Sequence, residues 1–139
     1  MQEHNVETAM ILEDDCASLS PLFIPLVKKM MREAPPDWGI LLCGFWIKKH
    51  FDPGAPVPGT TLFSVKNFVL LHCYIVRKSA ATLLATTFPL NCPADTWISS
   101  FSDRIKIYRH NHIIHYEQDG IFSSLAQQKY LYSEIEHTN

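Results

Sequence analysis

The sequence lacks several features that would point directly to a common class of protein. Its five glycines are not clustered into a phosphate-binding loop. Its four cysteines form no Cys-x-x-Cys pair, which argues against a structural zinc site. Serine, cysteine and histidine form no recognisable nucleophile motif. No apolar run approaches the ~20 residues that a membrane-spanning helix needs, and the first residues lack the basic and apolar pattern of a secretion signal.

Charge is also scarce. The net charge of the 139 residues is -2 with histidine neutral, and the basic pairs are scattered along the chain. We therefore expect neither nucleic acid nor an anionic membrane as a partner. The hydrophobic content of 47% is enough for a core. Cys43 and Cys73 lie in apolar runs and are expected to be buried thiols, so the composition predicts a soluble, cytoplasmic protein.

The most informative pattern that is present is an apolar run that ends in three acids. Residues 6–12 predict a strand that is buried near its end, and Glu13, Asp14 and Asp15 follow it. Unpaired charge is too costly to bury, so the acids are expected to emerge at the end of the strand. Carboxylates at positions i and i+2 can share a magnesium or manganese ion. The alternative is an acidic turn that caps the following helix.

The remaining pattern alternates strands with helices, which predicts a single α/β domain over 1–139 with a mainly parallel sheet. We expect 1–100 to form its core and 101–139 to supply terminal strands and a tail. The expected elements are a helix from the Ser20 cap to the Pro35-Pro36 pair, a strand over 38–42 closed by Gly44, a surface loop over 48–61, a strand over 68–76, a helix over 79–87, a helix start at 94–98 and a strand over 104–108.

Several segments together resemble glycosyltransferase family 25, the lipopolysaccharide and procollagen galactosyltransferase type. They lie in the same order as in the family and cover nearly the whole chain. The matching segments are Ile11-Leu12-Glu13-Asp14-Asp15, the helix after it, Asp37-Trp38-Gly39-Ile40-Leu41-Leu42, Tyr74-Ile75-Val76 with Ala80-Ala81-Thr82-Leu83-Leu84, Pro93-Ala94-Asp95, Ile105-Lys106-Ile107-Tyr108 and Gln118-Asp119-Gly120.

The resemblance implies a GT-A-like, Rossmann-like fold and a metal-dependent transfer of a hexose, such as galactose, from a nucleotide sugar to a glycan or protein hydroxyl. It implies that Glu13 and Asp15 hold Mn²⁺ or Mg²⁺ against the diphosphate and that Asp14 contacts the donor. Inversion at the sugar needs a base for the acceptor hydroxyl, and Asp95 is the candidate. The alternative for Asp95 is a helix cap.

The chain departs from the family pattern before the acidic triplet, where family members carry the first strands and most of the nucleotide-base pocket. The domain is therefore expected to be N-terminally truncated relative to the family. A catalytically inactive, transferase-like binding or assembly domain is the alternative function. An incomplete sheet would expose an edge, which a partner chain could cover by completing the sheet.

Three further groups of candidate residues come from elsewhere in the sequence. His110 and His112 have the spacing of two zinc ligands on one strand face, although surface histidines are the simpler interpretation. His115 and Asp119 are candidates to complete the manganese shell. Trp46, at the start of the long loop, is the candidate for stacking on an acceptor sugar.

Overall fold

The computed structural model describes residues 5–13, 16–18, 21–46, 54–87, 91–110 and 117–118. Its elements, in chain order, are β1 (Thr8–Leu12), β2 (Cys16–Ser18), α1 (Phe23–Glu33), β3 (Trp38–Trp46), β4 (Ala55–Pro56), β5 (Leu62–Ser64), β6 (Val69–Arg77), α2 (Lys78–Ala85), α3 (Ala94–Ser99), β7 (Lys106–His110) and β8 (Glu117–Gln118).

A six-stranded mixed sheet forms the centre, in the order β1-β6-β3-β7-β5-β4, and β2 pairs with β8 in a separate ribbon. Among the described strands, β3 and β7 form the one parallel pair, and the other neighbours are antiparallel. The fold is α/β, as predicted, but the expectation of a mainly parallel sheet is wrong. The causes are β6, which enters between β1 and β3 in the opposite direction, and β5, which pairs antiparallel with β7 and with β4. A strand covered on both faces is apolar throughout in either direction, so its sequence does not reveal the direction.

Helices cover both faces of the sheet. On one face, α1 buries Phe23, Val27 and Met30 against side chains of β3, β6 and β7. On the other face, α2 and α3 bury Ala80, Leu84 and Ile98 against the alternate residues of the same strands. Strand β7 comes from the 101–139 segment and lies between β3 and β5, in the interior of the sheet.

Element boundaries differ from the predictions in instructive ways. The end of β1 is not buried, because Ile11 and Leu12 are 38% and 48% exposed. Strand β3 does not stop at Gly44 but continues to Trp46 through an irregular register opposite β6. Helix α1 begins at Phe23, after an N-cap at Leu22 that makes no side-chain capping bond. Its end before the Pro35-Pro36 pair is confirmed.

A carboxylate at the end of α1 anchors the β4–β5 hairpin. Thr61 donates its backbone N–H to Glu33 Oε2 at 2.9 Å, and Thr61 Oγ1 donates to the same oxygen at 2.6 Å. These bonds, helped by the positive charge of Lys29, hold the pKa of Glu33 below its ordinary value of 4.5. The ionised form of Glu33 therefore stabilises the fold.

This anchor predicts a pH-dependent loss of stability in Thr61→Val. The folded pKa of Glu33 is depressed, so its contribution is present above the unfolded pKa and disappears as pH falls through the folded pKa. At pH 7 we expect Thr61→Val to lower the free energy of unfolding by about 1 kcal/mol, and the loss to shrink towards pH 3. Urea unfolding at both pH values measures this.

Thr60→Val is the matched control, since Thr60 Oγ1 donates to a neutral carbonyl, that of Val57, at 2.9 Å. Its cost should not change between pH 7 and pH 3. An equal pH response in the two variants would contradict the assignment to Glu33.

Candidate functional site

The site lies where three strands end at the same edge of the sheet. β1 and β3 are both antiparallel to β6, and β7 is parallel to β3, so β1, β3 and β7 run in one direction. We use the name carboxyl edge for the side of the sheet at which β1, β3 and β7 end. Ligands of α/β sheets commonly bind at such an edge, because strand ends place side chains there without burying them in the core.

Glu13 and His72 meet at the carboxyl edge. Glu13 follows β1 directly, and its N–H donates to the carbonyl of His72 at 2.9 Å. Their side chains also approach, with 3.5 Å between Glu13 Oε2 and His72 Nδ1. The imidazole is 16% exposed and the carboxylate 43% exposed, so a ligand can reach the pair from solvent. When His72 is protonated, the pair is an ion pair.

Tyr74 extends this pair along β6. It lies opposite Ile11 and two residues after His72, so Tyr74 and His72 project to the same face. Burial raises the pKa of the Tyr74 hydroxyl, and the negative charge of Glu13 raises it further. The phenol therefore stays protonated at neutral pH and can donate a hydrogen bond. Carboxylate, imidazole and phenol together can hold a cation, move a proton and donate to an anionic oxygen.

Two thiols lie beneath the opposite face of the sheet. Cys43 and Cys73 are both fully buried, which confirms the sequence expectation. Cys43 Sγ donates to the carbonyl of Leu41 at 3.7 Å, and the neighbouring Cys73 thiol and burial raise the pKa of Cys43. The same contact lowers the pKa of Cys73. Both side chains have no exposed surface and pack in the core under α1, so solvent does not reach either thiol.

Several of the predicted ligands lie outside the described residues. These are Asp14, Asp15, His112, His115 and Asp119. Their assigned roles stay predictions. Among the residues that the structure does describe, no group of three or more histidines, cysteines or acids could hold a metal ion. Glu13 and His72 are a pair of side chains of ligand type that the described residues bring together.

Asp95 lies in the first turn of α3, where it serves the helix. Its Oδ1 accepts the backbone N–H of Thr96 at 2.6 Å and lies 3.3 Å from Thr96 Oγ1. The N-cap of α3 is Pro93, which makes no side-chain capping bond, so the alternative of Asp95 as the helix cap is wrong. A catalytic role for Asp95 stays a prediction.

Trp46 is the last residue of β3, and its backbone pairs with Val69. The structure therefore places it in the sheet rather than at the start of the loop. Its side chain lies outside the described part of the molecule.

His110 does not join Glu13. It is buried at the end of β7, near enough to Glu33 to contribute to lowering the pKa of that carboxyl. Strands β6 and β3 lie between β1 and β7, which separates the two ends by about 14 Å at the usual strand spacing. The zinc hypothesis for His110 and His112 therefore gains nothing from the position of Glu13.

His72 is the site residue that sequence reasoning missed. Its partner Glu13 lies some sixty residues earlier, and only the β1–β6 register brings the two together. The available signal was its place in the His72-Cys73-Tyr74 lead-in to a strong apolar strand. A charged or polar residue near the start of such a strand indicates that this part of the strand lies at the edge of the sheet.

Comparison of the chain with protein-family profiles, curated proteins and solved structures found no significant match. Within the described residues, no helix has the length and apolar character needed to cross a membrane. Fold and site together define a mixed α/β domain with a carboxylate–imidazole pair at its carboxyl edge.

Proposed function

We propose that this chain is a metal-dependent glycosyltransferase domain that transfers a hexose from a nucleotide sugar to a glycan or protein hydroxyl. The observation that carries the proposal is the contact of Glu13 with His72 at the carboxyl edge, 3.5 Å apart and open to solvent. The first acid of the triplet lies at this edge, where a ligand can bind, and not in the core. The sequence resemblance supplies the substrate class.

The two side chains fit a divalent cation. Carboxylate oxygen suits Mn²⁺ and Mg²⁺, whereas an imidazole nitrogen suits transition metals better than Mg²⁺. The presence of His72 therefore favours Mn²⁺. Glu13 and His72 would hold the ion together with Asp15, which is next but one to Glu13 in the sequence. When bound, the ion would neutralise the negative charge on the departing diphosphate.

The protein's own groups contribute positioning and proton chemistry. Tyr74 keeps its proton at neutral pH because burial raises its pKa, so it can donate to a phosphate or sugar oxygen. In this proposal Asp14 contacts the donor, and Asp95 removes the proton of the acceptor hydroxyl. Trp46 supplies an aromatic surface for an acceptor sugar. The roles of Asp14 and Asp95 rest on the resemblance, and that of Trp46 rests on its place in the sequence before the long loop.

The position of β1 supports the same function. The resemblance places further strands before the acidic triplet, and they would need an edge to pair with. β1 is the edge strand of the six-stranded sheet as described, with β6 on its inner side. The sheet can therefore be extended beside the Glu13 site, where the nucleotide base would have to bind.

One observation favours the second candidate, a binding or assembly domain without catalysis. β1 is the edge strand of the described sheet, so a partner chain could pair with it. Such a domain would keep the scaffold and the open edge of β1 but would not bind a nucleotide sugar. The two functions therefore differ in a direct binding measurement.

The test is calorimetric titration of the purified chain with Mn²⁺ and with a panel of nucleotide sugars, in the presence and absence of Mn²⁺. We expect donor binding that requires Mn²⁺. Glu13→Gln and Asp15→Ala should each weaken it at least tenfold, about 1.4 kcal/mol, since each removes a charged ligand. His72→Gln should weaken Mn²⁺ binding less than Glu13→Gln or Asp15→Ala does.

Asp103→Asn is the matched control, because Asp103 is 83% exposed and pairs with Lys66 far from the site. It should bind like the parent chain. If the folded protein binds none of the nucleotide sugars, the transferase proposal is wrong and the assembly domain stands. Donor binding that survives both Glu13→Gln and Asp15→Ala would refute the metal assignment.

A further inference from the structure

The outward face of α1 is built from apolar and basic side chains. In α1 and its N-cap, all of which the structure describes, the exposed residues are Leu22, Ile24, Pro25, Lys28, Met31 and Arg32. Leu22, Ile24 and Met31 are large apolar residues that are 65%, 49% and 41% exposed. None of the six is acidic, and none carries a neutral hydrogen-bonding side chain. The outward face of a surface helix usually carries such polar groups, so this face is unusual.

The acids near α1 are directed towards the sheet and not outwards. Glu33, the acid of this helix, accepts the two hydrogen bonds from Thr61 in the β4–β5 hairpin and lies 3.7 Å from Lys29. Asp37 follows the helix and lies near enough to Tyr108 of β7 to raise the pKa of that phenol. The outward face of α1 therefore has a positive charge.

The side of the sheet that α1 covers is not the side of the Glu13–His72 pair. Leu12 lies opposite Cys73, and Cys73 packs under α1. Residues that face each other on neighbouring strands project to the same side, so Leu12 adds its exposed side chain to the α1 side. His72 is the neighbour of Cys73 in β6, and its side chain projects to the other side together with that of Glu13.

We propose that α1 is a membrane-surface helix, whose outward face binds a bilayer that contains anionic phospholipids. Lys28 and Arg32 extend their charged ends to the lipid phosphates. Leu22, Ile24 and Met31 enter the layer between head groups and acyl chains, which removes their apolar surface from water. The inference does not rest on the proposed transferase function, because it uses the opposite side of the sheet.

The shape and chemistry of this face favour lipid over a protein or a nucleic acid. α1 has 11 residues, so it is about 16 Å long. A single convex helix of this length is small beside a stable protein interface, which buries about 800 Å² on each partner. Lipid head groups rearrange around a convex helix. Proteins that bind nucleic acid use polar side chains as well as basic ones on the phosphates, and the outward face of α1 has no neutral polar side chain.

The net charge does not contradict this proposal. The expectation against an anionic membrane is based on a net charge of -2, which is a sum over the whole molecule. A bilayer contacts one face of a protein, and charges more than about 10 Å away are largely screened at 0.1 M salt. The local charge of α1 therefore decides the interaction.

Cosedimentation of the full chain with vesicles tests the proposal. We expect binding to vesicles of equal parts phosphatidylcholine and phosphatidylglycerol, and at least tenfold weaker binding to phosphatidylcholine alone. Each basic residue near an anionic surface contributes roughly fivefold in affinity, so Lys28→Gln combined with Arg32→Gln should weaken binding at least tenfold. Met31→Asn keeps the charge but should also weaken binding, since it removes an inserted apolar side chain.

Lys66→Gln combined with Arg104→Gln is the matched control. It removes the same amount of charge on the side of α3, where Lys66 pairs with Asp103 and Arg104 lies over Phe101. This variant should bind vesicles like the parent chain. Absence of binding by the parent chain, equal binding to neutral vesicles, or equal losses in the two double variants would overturn the proposal. Tighter binding to duplex DNA or to polyglutamate than to the vesicles, lost in the Lys28 and Arg32 double variant, would assign α1 to another class of partner and overturn it as well.

Discussion

Replacing Phe23 by alanine is expected to lower the free energy of unfolding by about 3–5 kcal/mol, the range for removing a buried aromatic side chain. Phe23 is 1% exposed and begins the buried stripe that holds α1 on the sheet. Losing the ring leaves a cavity between the first turn of α1 and its neighbours in the core. Small domains are stable by only about 5–15 kcal/mol, so urea denaturation should show a large shift in midpoint.

Ile24→Ala is the control for this effect. Ile24 is the next residue of the same helix but is 49% exposed. Alanine is a better helix former than isoleucine, so Ile24→Ala should change stability by less than about 0.5 kcal/mol. A comparable loss in both variants would mean that α1 does not pack on the sheet through the Phe23 face.

Gly39→Val is the second large effect, and it comes from crowding. A Cβ atom at Gly39 would lie 2.6 Å from Ile105 Cγ2 and 3.2 Å from Ala80 Cβ. Gly39 is in β3 at the centre of the sheet, where strand and helix approach too closely for a side chain. We expect a loss of about 3 kcal/mol, at the upper end of the usual cost of overpacking.

A double-mutant cycle with Ile105→Ala separates crowding from other causes. Ile105→Ala alone opens a cavity and should destabilise the protein. In the double variant, Ile105→Ala removes the atom closest to the new side chain. The loss of stability in the double variant should therefore be smaller than the sum of the two single losses, by more than about 1 kcal/mol. Strict additivity, measured from urea unfolding of all four proteins, would show that Ile105 is not the obstacle.

Local patterns in the sequence predicted individual elements because the relevant forces act over a few residues. The apolar spacing of α1 gave its buried face, and the Pro35-Pro36 pair gave its end, since proline cannot continue the preceding turn. The apolar run of β6 likewise marked a strand, within one residue at each end. These features depend on neighbours in the chain, which the sequence shows directly.

The pairing of strands depends on neighbours in space and was not predicted. The direction of β6 is fixed by its packing between β1 and β3, which no local pattern encodes. For the same reason the contact of His72 with Glu13 could not be found, although Glu13 was singled out. The exposed end of β1 was also missed, because Ile11 and Leu12 are apolar residues that the described fold leaves uncovered.

The register of β1 with β6 has a consequence for how the chain folds. Its paired residues lie about sixty to seventy positions apart, as Leu12 opposite Cys73 shows, and closing so long a loop is slow. On a ribosome, β1 emerges well before its partner and must wait for β6 to leave the exit tunnel. Meanwhile the helix α1 and strand β3 can already dock on each other. The β1 edge, and the Glu13 site beside it, therefore cannot form before β6 has left the tunnel.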